Sequence, residues 1–92
     1  MDIKNVTGIG PYELKTEENR ELYFKDEKVF LVKNKNTIEV RTDHELSKLL
    51  KEKYESVMES RYFGRGGIEI VLAGQLSTSE LEDLVRLSYN LS

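Results

Sequence analysis

The chain has no cysteine and no tryptophan, and it has a single proline and a single histidine. Without cysteine there can be no disulfide and no thiolate metal site, which fits a reducing compartment. No apolar run approaches the roughly 18 residues that a bilayer span requires. The opening Met1-Asp2-Ile3-Lys4-Asn5 is not a basic-then-apolar export signal, so a cytoplasmic location is the expectation. Positive charge is also in short supply: 14 Lys and Arg against 17 Asp and Glu give a net charge of −3. Proteins that live on phosphate backbones are usually basic, so this balance argues against broad non-specific nucleic-acid binding and leaves only a local basic patch open.

What the chain does have is a periodic supply of core residues. With 38% apolar and 34% charged residues over 92 positions, it reads as one solvated globular domain, residues 1–92, with one modest core. So small a core is modestly stable by itself or gains from self-association. Residues 1–19 are polar and hold Gly8, Gly10 and Pro11, so they read as an irregular lead-in. Within it, Tyr12-Glu13-Leu14-Lys15 alternates as an extra edge strand would. Strands are then expected at Glu21–Phe24, Val29–Val32 and Thr37–Arg41, separated by the polar turns Lys25–Lys28 and Lys33–Asn36. The asparagines of the second turn suit left-handed backbone. In the third strand Ile38 and Val40 share one face.

Two helix starts follow. Thr42-Asp43-His44-Glu45 has the spacing of a capping box, with Thr42 as cap. Behind it Leu46, Leu49, Leu50, Tyr54 and Val57 form a stripe at helical spacing, which carries the helix to about Met58. After a Gly-rich loop, Ile68–Leu72 reads as a strand. Ser77-Thr78-Ser79-Glu80 is a second capping box, and Leu76 and Leu81 stand where a hydrophobic staple would. Leu81, Leu84, Val85, Ser88 and Leu91 continue the inner face of that helix. The order is β-β-β-α-β-α, an α+β domain whose antiparallel sheet of about four strands is covered by two helices.

Several stretches in this order resemble the MmcQ/YjbR family of small bacterial proteins: Lys28-Val29-Phe30-Leu31-Val32, Arg41–Leu46, Ile70–Leu81, and the closing Leu84–Leu91 with its Ser88-Tyr89-Asn90-Leu91. The resemblance covers about residues 20–92, and the closing Ser-Tyr-x-Leu is its most specific part. It implies a CyaY-like α+β fold and a divergent relative that lacks the family's usual N-terminal helix. It also implies the family's suggested role as a double-wing DNA-binding module.

No catalytic constellation accompanies these patterns, and no enzyme activity, cofactor, small-molecule substrate or metal site is expected. His44 falls in the first turn of a helix, where the dipole disfavours imidazolium. Ser77 and Ser79 are explained by capping, and Glu17-Glu18 and Glu82-Asp83 by solvated faces. Tyr89, one residue off the inner stripe, is expected to lay its ring over the sheet edge and tie down the C-terminus with its hydroxyl.

The candidate surface is Arg61-Tyr62-Phe63-Gly64-Arg65-Gly66-Gly67. Two guanidiniums and three glycines suit an anion, and two aromatics suit a base or a partner's side chain. The plainer alternative is a helix-to-strand connection whose aromatics fold back on the core. Lys33 and Lys35, with Lys25 and Lys28, would add a basic rim if the turns project the same way, although Asp26, Glu27 and Glu39 are interleaved. The expectation is a non-catalytic binding module that docks a macromolecule through Arg61, Tyr62, Phe63, Arg65, Lys33 and Lys35. The partner is a protein or a second copy covering sheet surface left by the absent helix. DNA binding through the hairpins and the Arg61–Arg65 loop is the alternative.

Overall fold

The computed structural model describes residues 1–92, and none of its helices is long and apolar enough to cross a membrane. The elements are β1 (Glu13–Thr16), β2 (Arg20–Lys25), β3 (Lys28–Asn34), β4 (Thr37–Arg41), α1 (His44–Lys53), β5 (Val57–Ser60), β6 (Gly64–Val71) and α2 (Thr78–Leu91). The class is α+β, one antiparallel sheet with two helices, as the patterning implies. The strand count is corrected from about four to six, in the spatial order β1-β2-β3-β4-β6-β5.

The added strands have physical reasons. Val57 lies at helical spacing from Leu50 and Tyr54, yet Tyr54 is already extended at φ −125° and closes α1 with its N–H on the Leu50 carbonyl. The chain then runs as an edge strand antiparallel to β6, with Val57 and Ser60 buried, Met58 and Glu59 exposed and a register shift between Glu59 and Ser60. Glycines 64, 66 and 67 belong to β6 and not to a loop. At the other edge, β1 is the alternating segment of the lead-in, one residue later than its pattern suggests. The lead-in itself is partly core: Ile3 and Val6 are buried in the main cluster, with a 3-10 turn at Ile3–Asn5.

Both capping predictions can be compared with the bonds formed. At α2 the Ser77–Glu80 box is complete, and Leu76 and Leu81 are both buried. At α1 the cap is Asp43 instead of Thr42: its carboxylate accepts the Leu46 N–H at 2.8 Å. Thr42 is buried, and its hydroxyl has no partner. Of the expected inner stripe of α1, Leu46, Leu50 and Tyr54 pack against the main core and Leu49 does not. Ser47 is the buried residue of the helix, while Leu49 is 63% exposed.

The left-handed non-glycine residues are Asp26 and Glu27, in the two-residue β2–β3 hairpin, and not the asparagines of the next turn. Such a turn needs φ > 0 at both central positions to match strand twist. Just beyond it the register slips: Tyr23 faces Leu31, but Phe24 faces Val29. Phe30 is thus the extra residue of a bulge, and both Phe30 and Leu31 enter the main core.

This bulge is why Ser88 matters. The β3–β4 ladder pairs Lys33 with Ile38, Val32 with Glu39 and Leu31 with Val40, then stops. At the next position the Ser88 hydroxyl stands between the strands, accepting from the Arg41 N–H at 2.7 Å and donating to the Phe30 carbonyl. Tyr89 sets its ring edge-on to Phe30 with centroids 4.9 Å apart. Its hydroxyl donates to the Pro11 carbonyl, so it ties down the lead-in and not the C-terminus. Replacing Ser88 with Ala strands a buried backbone N–H and is expected to cost about 2 kcal/mol in urea unfolding; an unchanged midpoint would show that the clip contributes nothing.

Candidate functional site

Period-two alternation that sends Ile38, Val40, Ile68 and Ile70 toward the helices must send Glu39 and Glu69 to the other face. The β4–β6 register places these two carboxylates directly opposite each other, at 2% and 3% exposure. Like charges in that position repel unless each is compensated. Glu69 is paired: Arg61 donates to it twice, Nε at 2.9 Å and Nη2 at 2.8 Å, and the Thr37 hydroxyl donates at 2.8 Å. Burial pushes the Glu69 carboxyl up, but the bonds from Arg61 and Thr37 outweigh it and leave the group below the ordinary carboxylate range. The same pairing raises the Arg61 guanidinium.

Glu39 is held by uncharged donors instead. The Ser60 hydroxyl and the Tyr62 N–H both donate to Oε1 at 2.8 Å, and Asn34 Nδ2 donates to Oε2 at 2.9 Å. Ser60 Oγ in turn accepts the Phe63 N–H at 2.8 Å. The Arg61-Tyr62-Phe63 turn between β5 and β6 is therefore fastened at every residue. Gly64 leaves the turn at φ +60°, a conformation suited to glycine. At Gly67 an added Cβ would sit 2.8 Å from Phe63 Cβ and would collide with the Val40 carbonyl, so glycine lets the turn lie flat on the sheet.

Phe63 lies against a small second cluster made by Leu22, Val29 and Val32, with Phe24 beside it. The Arg41 guanidinium stands 4.8 Å from the Phe63 ring centroid and donates through Nε to the Val29 carbonyl. Tyr62 meets Phe63 edge-on at 5.0 Å and carries the Arg20 guanidinium 5.4 Å from its ring centroid. Arg20 is itself bonded to Glu17 at 2.6 Å, which lowers the Glu17 carboxyl and raises the guanidinium. Between these groups opens a cleft of about 530 Å³, walled by Glu17, Glu18, Asn19, Arg20, Asn34 and Tyr62, with Glu39 and Arg61.

The six candidate residues do not form one surface. Arg61 and Tyr62 wall this cleft, and Phe63 packs beneath them. Arg65 lines a separate cleft beside α1, with His44, Ser47, Lys48, Lys51 and Glu59. Lys33 and Lys35 line an adjoining concavity that shares Glu17, Glu18, Asn19, Arg20 and Asn34 with the Arg61 cleft, so they stand next to it but among glutamates. Phe63 folds back on the sheet, as the plainer of the two expectations for this loop has it, while Tyr62 stays exposed. Glu39, Glu69, Arg20 and Asn34 carry no signal in the sequence. An isolated Glu in a strand reads as solvent-facing until the β4–β6 register and the overlying turn are known. No group of three or more His, Cys, Asp or Glu side chains is arranged to hold a metal ion.

No family model, curated protein or solved structure matches the chain.

Removing the Glu39 carboxylate leaves the Ser60 hydroxyl, the Tyr62 N–H and one Asn34 donor without their acceptor. Glu39→Ala is expected to cost about 3 kcal/mol in denaturant unfolding, and Glu39→Gln, which keeps one acceptor oxygen, about half of that. Equal stability of all three proteins would mean that the turn does not depend on this group.

Proposed function

We propose that this chain is a non-catalytic cytoplasmic module that docks a protein partner through the cleft rim formed by Arg61, Tyr62 and Arg20. The reading rests on one observation. Two buried carboxylates, Glu39 and Glu69, hold the Arg61–Phe63 turn, while the Arg61 side chain stays 74% exposed and Tyr62 is open to solvent. Tyrosine and arginine, held rigid before contact, are the residue types that dominate protein interfaces, because little side-chain freedom remains to be lost on binding.

The charge pattern supports a protein over a nucleic acid. Arg61 and Arg20 are each bonded to a glutamate, and Glu17, Glu18 and Glu39 line the same cleft. Phosphate backbones would meet these carboxylates as like charges. A polypeptide surface can match both signs. The similarity to the MmcQ/YjbR family belongs to this proposal. Its closing Ser88-Tyr89 falls on residues that fasten α2 to the sheet and to the lead-in. Of the cations of a hairpin-wing DNA surface, Arg65 lines a separate cleft, and Lys33 and Lys35 adjoin the Arg61 cleft with Glu17, Glu18 and Glu21 set among them.

The test is affinity capture from host-cell extract with the wild-type chain, followed by measured affinity for whatever is recovered. Tyr62→Ala with Arg61→Ala is expected to weaken that affinity by about tenfold or more, and Lys28→Ala to leave it unchanged. A partner held equally well by all three proteins, or a duplex DNA bound at low salt through Arg61, would contradict the reading.

A further inference from the structure

A second concavity, independent of the docking rim, has the composition of an anion site. On α1, His44, Ser47, Lys48 and Lys51 fall at i, i+3, i+4 and i+7, so they share one helix face. That face looks across a cleft of about 240 Å³ toward Glu59 of β5 and Arg65 of β6. Three permanent cations thus meet one carboxylate in a chain whose net charge is −3. None of the three is neutralised within the protein: the ion pairs are Arg20–Glu17, Arg61–Glu69 and Arg86–Asp83. Lys48 and Lys51, three residues apart on a helix, repel each other.

Ser47 supplies the second, independent observation. The residue is 2% exposed and lines the cleft, and its hydroxyl is used by no hydrogen bond within the protein. Unlike the enclosed Thr42 hydroxyl, it is not sealed from solvent. The other buried serines spend their hydroxyls inside the protein, Ser60 on Glu39 and Ser88 on Phe30. A hydroxyl donor without an acceptor, set among unpaired cations, is what an oxyanion would complete.

We propose that this cleft binds a phosphate group, with Lys48, Lys51 and Arg65 supplying charge and Ser47 a hydroxyl donor. The volume lies below the roughly 300–1,000 Å³ of most organic-ligand pockets, so the anionic group itself is what the site reads. A nucleic-acid backbone would need cations continuing along a path. Here Glu45, Glu52 and Glu55 occupy the neighbouring positions of the α1 segment and the residues just after it, and Glu59 forms one wall. A compact dianion fits and a polymer does not.

Amide chemical shifts followed during titration with sodium phosphate, with O-phosphoserine and with sodium chloride at matched ionic strength test the assignment. Phosphate and phosphoserine are expected to shift Ser47, Lys48, Lys51 and Arg65 saturably, while chloride does not. Equal affinities would mean that only the phosphate group is read; tighter phosphoserine would mean that its carrier also touches the cleft. Lys48→Ala with Lys51→Ala, and separately Arg65→Ala from the other wall, should each weaken binding by about tenfold, with the remaining amide spectrum unchanged. Arg61→Ala with Tyr62→Ala should not change it, which separates this site from the docking rim. Shifts that fail to saturate, or that chloride reproduces, would overturn the proposal. So would a duplex oligonucleotide that shifts these amides where phosphate does not.

Discussion

Two carboxylates face each other across β4 and β6 with almost no water around them, and the sheet tolerates this only because the chain returns to satisfy both. Arg61 reaches Glu69, while the backbone of the next residue and the Ser60 hydroxyl reach Glu39. A pair of apolar residues at 39 and 69 would fill the same face without any charge to compensate, and replacing buried ion pairs in that way is often neutral or stabilising. What an apolar pair would not do is dictate where Tyr62 and Arg61 stand. Thr37 and Asn34 supply one donor each from the neighbouring strands, and the rest come from Ser60, Arg61 and Tyr62, so satisfying the charges also fixes the turn. That constraint underlies the proposed docking rim.

The two faces of the sheet are therefore organised by different physics. The helix side is apolar and is locked by one hydroxyl, Ser88, which fills the gap opened by the Phe30 bulge. The other side has only a small apolar cluster, and its order comes from directional bonds. Apolar burial is insensitive to orientation, whereas hydrogen bonds to a buried carboxylate fail steeply when geometry slips. A surface meant to present particular side chains is better served by the second kind of order. The cleft beside α1 is a third case, lined by three cations, a hydroxyl and one carboxylate.

How much of this was legible in the sequence follows from how local each signal is. The start of α2 needs only Ser77 and Glu80, three residues apart, and both bonds of that box form. The strands β2, β3 and β4 were also readable, because their turns and alternation lie within a few residues. At α1, Thr42 and Asp43 are adjacent and both able to cap, so spacing could not choose between them. Residue 57 satisfies helical and strand periodicity alike, which hid β5. The opposition of Glu39 to Glu69 joins residues 30 apart through a register that local pattern does not encode. For the same reason Arg61 and Arg65, neighbours in a conspicuous motif, could be noticed but not assigned to separate clefts.

Backbone order at the turn is the quantity on which the account stands. Nitrogen-15 relaxation of the wild-type chain should give Arg61, Tyr62 and Phe63 order parameters as high as those of β4 and β6, near the rigid-backbone value of about 0.85. In Glu39→Gln these three should fall well below the strands while the strands keep theirs. A turn already mobile in the wild type, or equally rigid after the substitution, would contradict the claim that the buried carboxylates set its conformation.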